Sequence, residues 1–281
     1  MSNQYGKWGV FKFIVYASCI FLGFLSVFPF VVMFINATRS TDEIWRESIS
    51  LIPSTHLLSN FGVFAGKSYN PLVGLMNSMI ISVSTTICAV YFSSLTAYGL
   101  VAYSWKLRQA FFTFILVIIM IPAQVVNIGF YQFMLQIGLT NNFLPLILPA
   151  IASPAMVFFM RQYLMATLSL DIVDSARIDG AKEFFTFNRI ILPMMKPAIA
   201  TQAIFVFVGS WNNFFLPLIF LTDSSLYTMP IMVSLLRGDI YRVQLGAIYL
   251  GLSLSVLPLF VIFFSLSKYI IAGVQLGGVK E

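Results

Sequence analysis

Residues 169–201 read SLDIVDSARIDGAKEFFTFNRIILPMMKPAIAT. Ser169 is placed to cap a helix, with Asp171 and Asp174 near its first turn, where carboxylates complement the helix dipole. Ile172 and Ala176, four apart, share a face. Gly180 stands where one helix can stop and another leave at an angle. Residues 181–187 predict a second short helix, with Phe184 and Phe187 on one side. Leu192-Pro193 ends it, and Lys196-Pro197 leads into an apolar run. The segment therefore predicts helix, bend, helix. On pattern alone it also fits an amphipathic piece lying at a membrane interface.

What surrounds this segment is almost entirely apolar. The chain has 281 residues, 59% hydrophobic and 9% charged, with a mean hydropathy of +0.91. An average soluble domain is about a quarter charged. This composition excludes an ordinary soluble enzyme and a disordered chain, and two cysteines inside apolar runs exclude a disulfide scaffold. The net charge of +6 comes from 16 basic residues spread over the chain, which reads as loop charge at a membrane face rather than a nucleic-acid surface.

Six runs approach the ~20 residues that cross a bilayer: 13–37, 73–103, 110–136, 143–160, 198–221 and 243–267. Lys7 and Lys12 precede a first run too long for a signal-peptide core, so it reads as a retained span. Eleven Lys and Arg fall on the side of the termini against five on the other, which puts both termini in the cytoplasm. The longest cytoplasmic segment is then 161–197. The outer segments are 38–72, where Asp42, Glu43 and Glu47 face Arg39 and Arg46 as i,i+4-type pairs on a solvated helix, and 222–242. The chain divides into a tail, first span and outer segment (1–72) and a core of spans two to six (73–281).

No Asp, Glu, Lys, Arg or His falls within the six runs as drawn. Proton relays, ion pathways and intramembrane proteases need ionisable groups at membrane depth. The chain is instead suited to a neutral, hydrogen-bonding solute, with the free energy for uphill movement supplied from elsewhere. Gln124, Asn127 and Tyr131 in the third run, and Trp211, Asn212 and Asn213 in the fifth, have two readings. They are hydrogen-bonding glue between helices, or a wet path on which Trp211 and Tyr131 stack against a sugar face. No phosphate-binding P-loop occurs, so the chain is not itself an ATPase. No metal ligands and no catalytic residues are expected.

Asp174-Ser175-Ala176, then Asp179-Gly180-Ala181, then Ile190-Ile191-Leu192-Pro193 resembles the EAA loop of binding-protein-dependent ABC importer permeases. That signature runs Glu-Ala-Ala, Asp-Gly-Ala, Ile-x-Leu-Pro. Asp174 replaces Glu and Ser175 replaces Ala, which keeps a carboxylate followed by small residues. Asn77-Ser78, Ala97-Tyr98-Gly99, Trp211-Asn212 and the tail from Lys268-Tyr269 to Gly277-Gly278-Val279-Lys280 are similar to the carbohydrate branch, in particular the smaller, MalG-like permease subunit.

The resemblance implies an all-α integral membrane protein with six transmembrane helices and the type I, MetI-like permease fold, in a bacterial plasma membrane. It implies a second permease, an ABC ATPase dimer that holds ATP and magnesium, and an extracytoplasmic solute-binding protein that would meet the outer segments. Span one would wrap the partner permease. The EAA loop (about 169–193) would dock in a groove of the ATPase. Asp174 and Arg177 would be its polar contacts, Phe184 and Phe187 its apolar ones, and Gly180 would set the angle. The tail 275–281 is either a loose terminus or an arm toward the ATPases. Alternatives are the same architecture for a polyol, glycerol phosphate or peptide, and a membrane enzyme or secondary carrier, which would need the missing intramembrane charges.

Overall fold

The computed structural model describes residues 3–66, 70–237 and 243–278, with side chains for 11–66, 70–122, 124–237 and 243–267. Lys67, Arg242, Val279, Lys280 and Glu281 lie outside the described residues, and so do the side chains of Lys7 and Lys268. Among the described residues the structure is helical, without strands. In chain order the helices are α1 (Asn3–Asn36), α2 (Thr41–Arg46), α3 (Leu57–Ala65), α4 (Pro71–Ala102), α5 (Arg108–Ile119), α6 (Ala123–Gln136), α7 (Leu144–Ile147), α8 (Pro154–Thr167) and α9 (Leu170–Ile178). They continue with α10 (Glu183–Thr186), α11 (Leu192–Met194), α12 (Lys196–Trp211), α13 (Phe215–Phe220), α14 (Met229–Arg237) and α15 (Leu245–Gly278).

Four stretches are long and apolar enough to cross a bilayer: Phe11–Asn36, Pro71–Ala102, Leu144–Thr167 and Leu245–Ser267. Two further candidates are bent pairs, Arg108–Ile119 with Gln124–Gln136 at 98° and Glu183–Met194 with Lys196–Trp211 at 79°. The third apolar run is thus not a straight rod, and the fifth is entered through a bend at Met195. Pro122 precedes α6, and its ring disfavours a helical Ile121. The fifth run also breaks after Trp211, before α13. The fourth extends beyond residue 160 to Thr167, which places Arg161 inside a candidate span and corrects the expectation that the spans carry no charge. Pro29 and Pro258 sit within α1 and α15 without ending them.

The chain divides into two compact units: Met1–Pro71 with Val233–Val256, and Leu72–Met232 with Leu257–Glu281. The first is organised around Arg39, which is 5% exposed. Its guanidinium donates to Asn36 Oδ1 (2.9 Å), Glu47 O (2.8 Å) and Glu43 O (2.9 Å). Asn60 Nδ2 donates to Ala37 O and Arg39 O at 2.8 and 2.9 Å. Ser40 and Glu43 form a capping box that starts α2, and the bond from the Ser40 N–H holds the Glu43 carboxyl below its ordinary pKa. Arg39 is therefore a buried tie between turns, and its Nη2 also lies 4.0 Å from Oε2 of the exposed Glu47. A buried cation is tolerated when its donors all find acceptors.

In the second unit, Asn77 Nδ2 donates to Ser225 O (2.9 Å) and Tyr227 O (3.0 Å), and the Met229 N–H donates to Ser78 Oγ at 2.9 Å. Asn77 and Ser78 thus fasten the start of α14 to α4. The main apolar core joins Ala89, Ala97 and Tyr98 of α4 and Met156, Met160 and Leu164 of α8 to Val173, Phe187, Ile191 and Met195.

Gly246 packs against the Arg39 knot so closely that a Cβ would stand 2.4 Å from Arg39 O and 2.5 Å from Asn60 Nδ2. Backbone cannot yield as a side chain can. Gly246→Ala is expected to cost about 1–3 kcal/mol of stability. Gly74→Ala, which meets the flexible Met232 side chain at 2.4 Å, should cost less. Thermal unfolding of the two variants in detergent checks the order.

Candidate functional site

The segment from Ser169 to Met195 folds as two helical pieces around a glycine. Ser169 caps α9, its Oγ accepting from the Asp171 N–H at 3.4 Å and donating to Asp171 Oδ2 at 2.9 Å. The end of α9 follows the Schellman pattern. The Gly180 N–H bonds Arg177 O at 3.0 Å, and the Ala181 N–H reaches back to Ala176 O at 2.9 Å. Gly180 takes φ of +79°, the left-handed conformation this cap requires and L side chains resist. The Asp179-Gly180-Ala181 triplet is therefore a helix stop with a defined exit direction.

The second piece begins at Glu183, runs through a π-helical stretch (Phe187–Ile191), and continues to Met194. It ends one residue past Leu192-Pro193, at the bend before Lys196. The Leu192 N–H bonds Phe187 O, five residues back, and Pro193 sits in the turn that follows. A proline has no N–H and crowds the preceding helical carbonyl, and the widened π turn accommodates both defects within a continuing helix. It also lets Phe187, Ile191 and Met195 all bury completely.

Burial sorts the segment into two faces. Val173, Ala176, Thr186, Phe187 and Ile191 point inward, while Ile178 (86% exposed), Phe184 (68%) and Phe185 (55%) point out with Leu170. Phe184 and Phe187 do not share a side, contrary to the helical reading. Phe187 lies between Tyr91 (ring centroids 5.8 Å) and Tyr98 (5.7 Å), so the outward apolar pair is Phe184 with Phe185. The inward pair on α9 is Val173 and Ala176, with Ile172 half-buried. Ala176, Asp179, Gly180, Ala181, Lys182, Phe185 and Ile190 line an open concavity of about 490 Å³.

Arg177 holds the two pieces together. Its Nη1 lies 3.1 Å from Asp174 Oδ1 on its own helix and its Nε 2.8 Å from Glu183 Oε1 across the bend. The bond to Glu183 raises the Arg177 pKa above its ordinary value. Glu183 Oε2 also accepts from Tyr98 Oη at 3.2 Å and from Tyr103 Oη, and the Arg177 guanidinium stands 5.5 Å from the Tyr103 ring centroid. Glu183 is thus the junction of the bend with the end of α4. The motif reading did not single it out, though its place three residues beyond Gly180 puts it within reach of Arg177 once the chain turns at the glycine. Ser175 is exposed beside Asp174.

The polar residues of the apolar runs are not gathered into one cluster. Trp211 is 2% exposed and stacks on Phe207 with centroids 5.6 Å apart, so its ring is covered rather than offered to a sugar. Asn212 closes α12 and is exposed, and Asn213 Oδ1 caps α13 by accepting from the Leu216 N–H at 3.3 Å. Tyr131 packs edge-on to Phe220 at 5.4 Å. Gln124 is exposed and Asn127 half-buried on α6. Among the described residues no group of His, Cys, Asp and Glu is placed to hold a metal.

Residues 89–275 match the family described as the binding-protein-dependent transport system inner membrane component. The chain belongs to this family. It is a permease of an ABC importer, a transport subunit and not an enzyme. It is similar to the arabinooligosaccharides transport system permease protein AraQ of Halalkalibacterium halodurans, 36% identical over 92% of this permease and 93% of that protein. It is also similar to the lactose transport system permease protein LacG of Rhizobium radiobacter, 34% identical over 92% of each. A chain from the crystal structure of a bacterial ABC transporter involved in the import of the acidic polysaccharide alginate superposes with a TM-score of 0.81 at 17% identity, covering 96% of this permease and 99% of that chain. That likeness shows a shared fold, the MetI-like permease fold.

If Arg177 and Glu183 act as one contact, Arg177→Gln and Glu183→Gln should not add. Gln at 183 still accepts from Tyr98 and Tyr103, so the pair alone is removed. The double variant is expected to unfold thermally no earlier than the less stable single variant. Additive losses would show that the two side chains act separately.

Proposed function

We propose that this permease is one of two transmembrane subunits forming the path of an ATP-driven importer for a sugar or oligosaccharide, and that segment 169–195 couples it to the ATPases. The supporting observation is the two-faced build of that segment. Its inner face, Val173, Ala176, Phe187, Ile191 and Met195, is locked into α4 and α8. Its outer face presents Leu170, Ile178, Phe184 and Phe185 around the Gly180 bend. A partner that grips the outer face and moves carries the inner face with it, and close-packed cores transmit such displacements. Leu192 and Pro193 stand in the last turn before the 79° bend into α12.

In this reading both termini and the 169–195 segment are cytoplasmic, and the two bent pairs complete six spans. ATP and magnesium bind in the partner ATPases, and an extracytoplasmic binding protein delivers solute to the outer segments. Closure of the ATPase dimer favours one permease state over the other through the docked segment. Asp174 and Arg177 orient the exposed face, and Phe185 takes the contact role that Phe187, being buried, cannot. Phe185 and Phe184 stand beside the concavity that a docking groove would cover. The sugar assignment draws on the carbohydrate relatives and on candidate spans with few ionisable groups. Gln124, Asn127, Tyr131 and Asn212 are the candidate path residues that remain accessible, and Trp211 would require a different arrangement of α12 to reach solute.

Two measurements test this. The permease co-expressed with its neighbouring subunits should co-purify with an ATPase, and oligosaccharides should stimulate hydrolysis more than polyols, glycerol phosphate or peptides. Absence of any co-purifying ATPase overturns the reading. Gly180→Val, which strains the left-handed cap by roughly 1–2 kcal/mol, should leave assembly intact but reduce solute uptake per ATP hydrolysed. Unchanged coupling at normal expression removes Gly180 from that role.

A further inference from the structure

We infer that Arg108 and Arg161 form a binding site for the phosphate of an anionic phospholipid, where the foot of α5 meets α8. Arg161 lies inside the candidate span Leu144–Thr167, and its guanidinium carbon sits 3.9 Å from the Phe112 ring centroid. Arg108 stands four residues before Phe112 on the same face of α5, so the two cations are electrostatic neighbours. Among the described residues no ion pair involves either one. Arg161 Nε is buried with no hydrogen-bond partner, and its Nη1 reaches only Gln162 Oε1 at 3.5 Å. Arg108 Nη1 donates to Tyr103 O at 3.2 Å, leaving the rest of that fork unused.

Two like charges side by side at the edge of an apolar medium repel, and an anion between them converts repulsion into two attractions. Arg108 also opens α5, whose first turn has no acidic residue. A cation there opposes the helix dipole, and an anion would satisfy both. The apolar surface beside the site selects among anions. Leu107, Phe111 and Phe114, at spacings of four and three, form an exposed stripe along α5 next to the buried Phe112 and Ile115. Trp105, 43% exposed and 5.9 Å from the Phe111 ring, is of the residue type that settles at headgroup level. A phosphate above an apolar stripe matches a phospholipid, whose acyl chains lie along the stripe, better than a free ion. Basic pockets between spanning helices on the cytoplasmic side commonly take anionic headgroups.

The assignment to the inner leaflet rests on the cytoplasmic orientation proposed above, and the lipid site itself does not. The test is native mass spectrometry of the full transporter after partial delipidation, with added phosphatidylglycerol or phosphatidylcholine. The wild type should retain phosphatidylglycerol at a site that the Arg108→Gln/Arg161→Gln variant binds about thirtyfold more weakly, at roughly a factor of five per charge. Phosphatidylcholine retention should not differ. Arg108→Lys/Arg161→Lys should keep much of the preference, which separates charge from misfolding. Equal phosphatidylglycerol retention by wild type and the Gln variant overturns the proposal. Displacement of the lipid by millimolar inorganic phosphate overturns the lipid assignment in favour of a free anion. Labelling of Ser104→Cys, in a chain lacking Cys19 and Cys88, by an impermeant maleimide from the cytoplasmic side only supports the leaflet. Labelling from the outer side only overturns the leaflet, whatever the lipid result.

Discussion

The burial of Phe187 between Tyr91 and Tyr98 is the contact on which the arrangement of the second unit turns. A phenylalanine with no exposed surface excludes water from the join between the bent segment and α4, and Ile191 and Met195 extend that join along α8. Full burial of side chains of this size contributes about 1.5–3 kcal/mol each. The π turn, the placement of Pro193 and the direction in which the segment leaves Gly180 are all compatible with that one apolar seam. The hydrophilic edge of the seam is Glu183, which collects Arg177, Tyr98 and Tyr103.

Both polar hubs of the molecule fasten turns rather than line a path. Arg39 ties the loops around α2 by donating to backbone carbonyls, and Glu183 ties the bend to α4. Each is a charged group with several hydrogen-bond partners, which offset the desolvation of the charge and narrow the conformations of its segment. Arg108 and Arg161 have one acceptor each, and Arg161 Nε is buried without one, which is why they point to a ligand.

Much of the candidate site was legible because capping chemistry is local. Ser169 as N-cap and Gly180 as the left-handed stop depend on neighbours within five residues. The broad class was legible too, because a chain with 9% charged residues cannot cover a soluble surface. The facing of Phe187 was not legible. Spacing places Phe184 and Phe187 within one α-helical turn, but which of the two enters the seam is set by where Tyr91 and Tyr98 of α4 lie. Apolar runs place Arg161 at the start of a loop, whereas in the structure it stacks over Phe112 within α8. Trp211-Asn212-Asn213 read as one polar feature, and the break after Trp211 sends its three side chains to three different tasks.

The sequence by itself determined the membrane class, the EAA spacing, and the cap and stop of α9, since these follow from composition and short-range chemistry. Only the tertiary structure decided which apolar side chains form the seam and which remain on the outer face. It also decided that Arg39 is a buried tie, and that Arg161 in the middle of α8 meets the face of α5 that Arg108 opens. Those outcomes depend on packing between residues far apart in the chain, which local periodicity does not indicate.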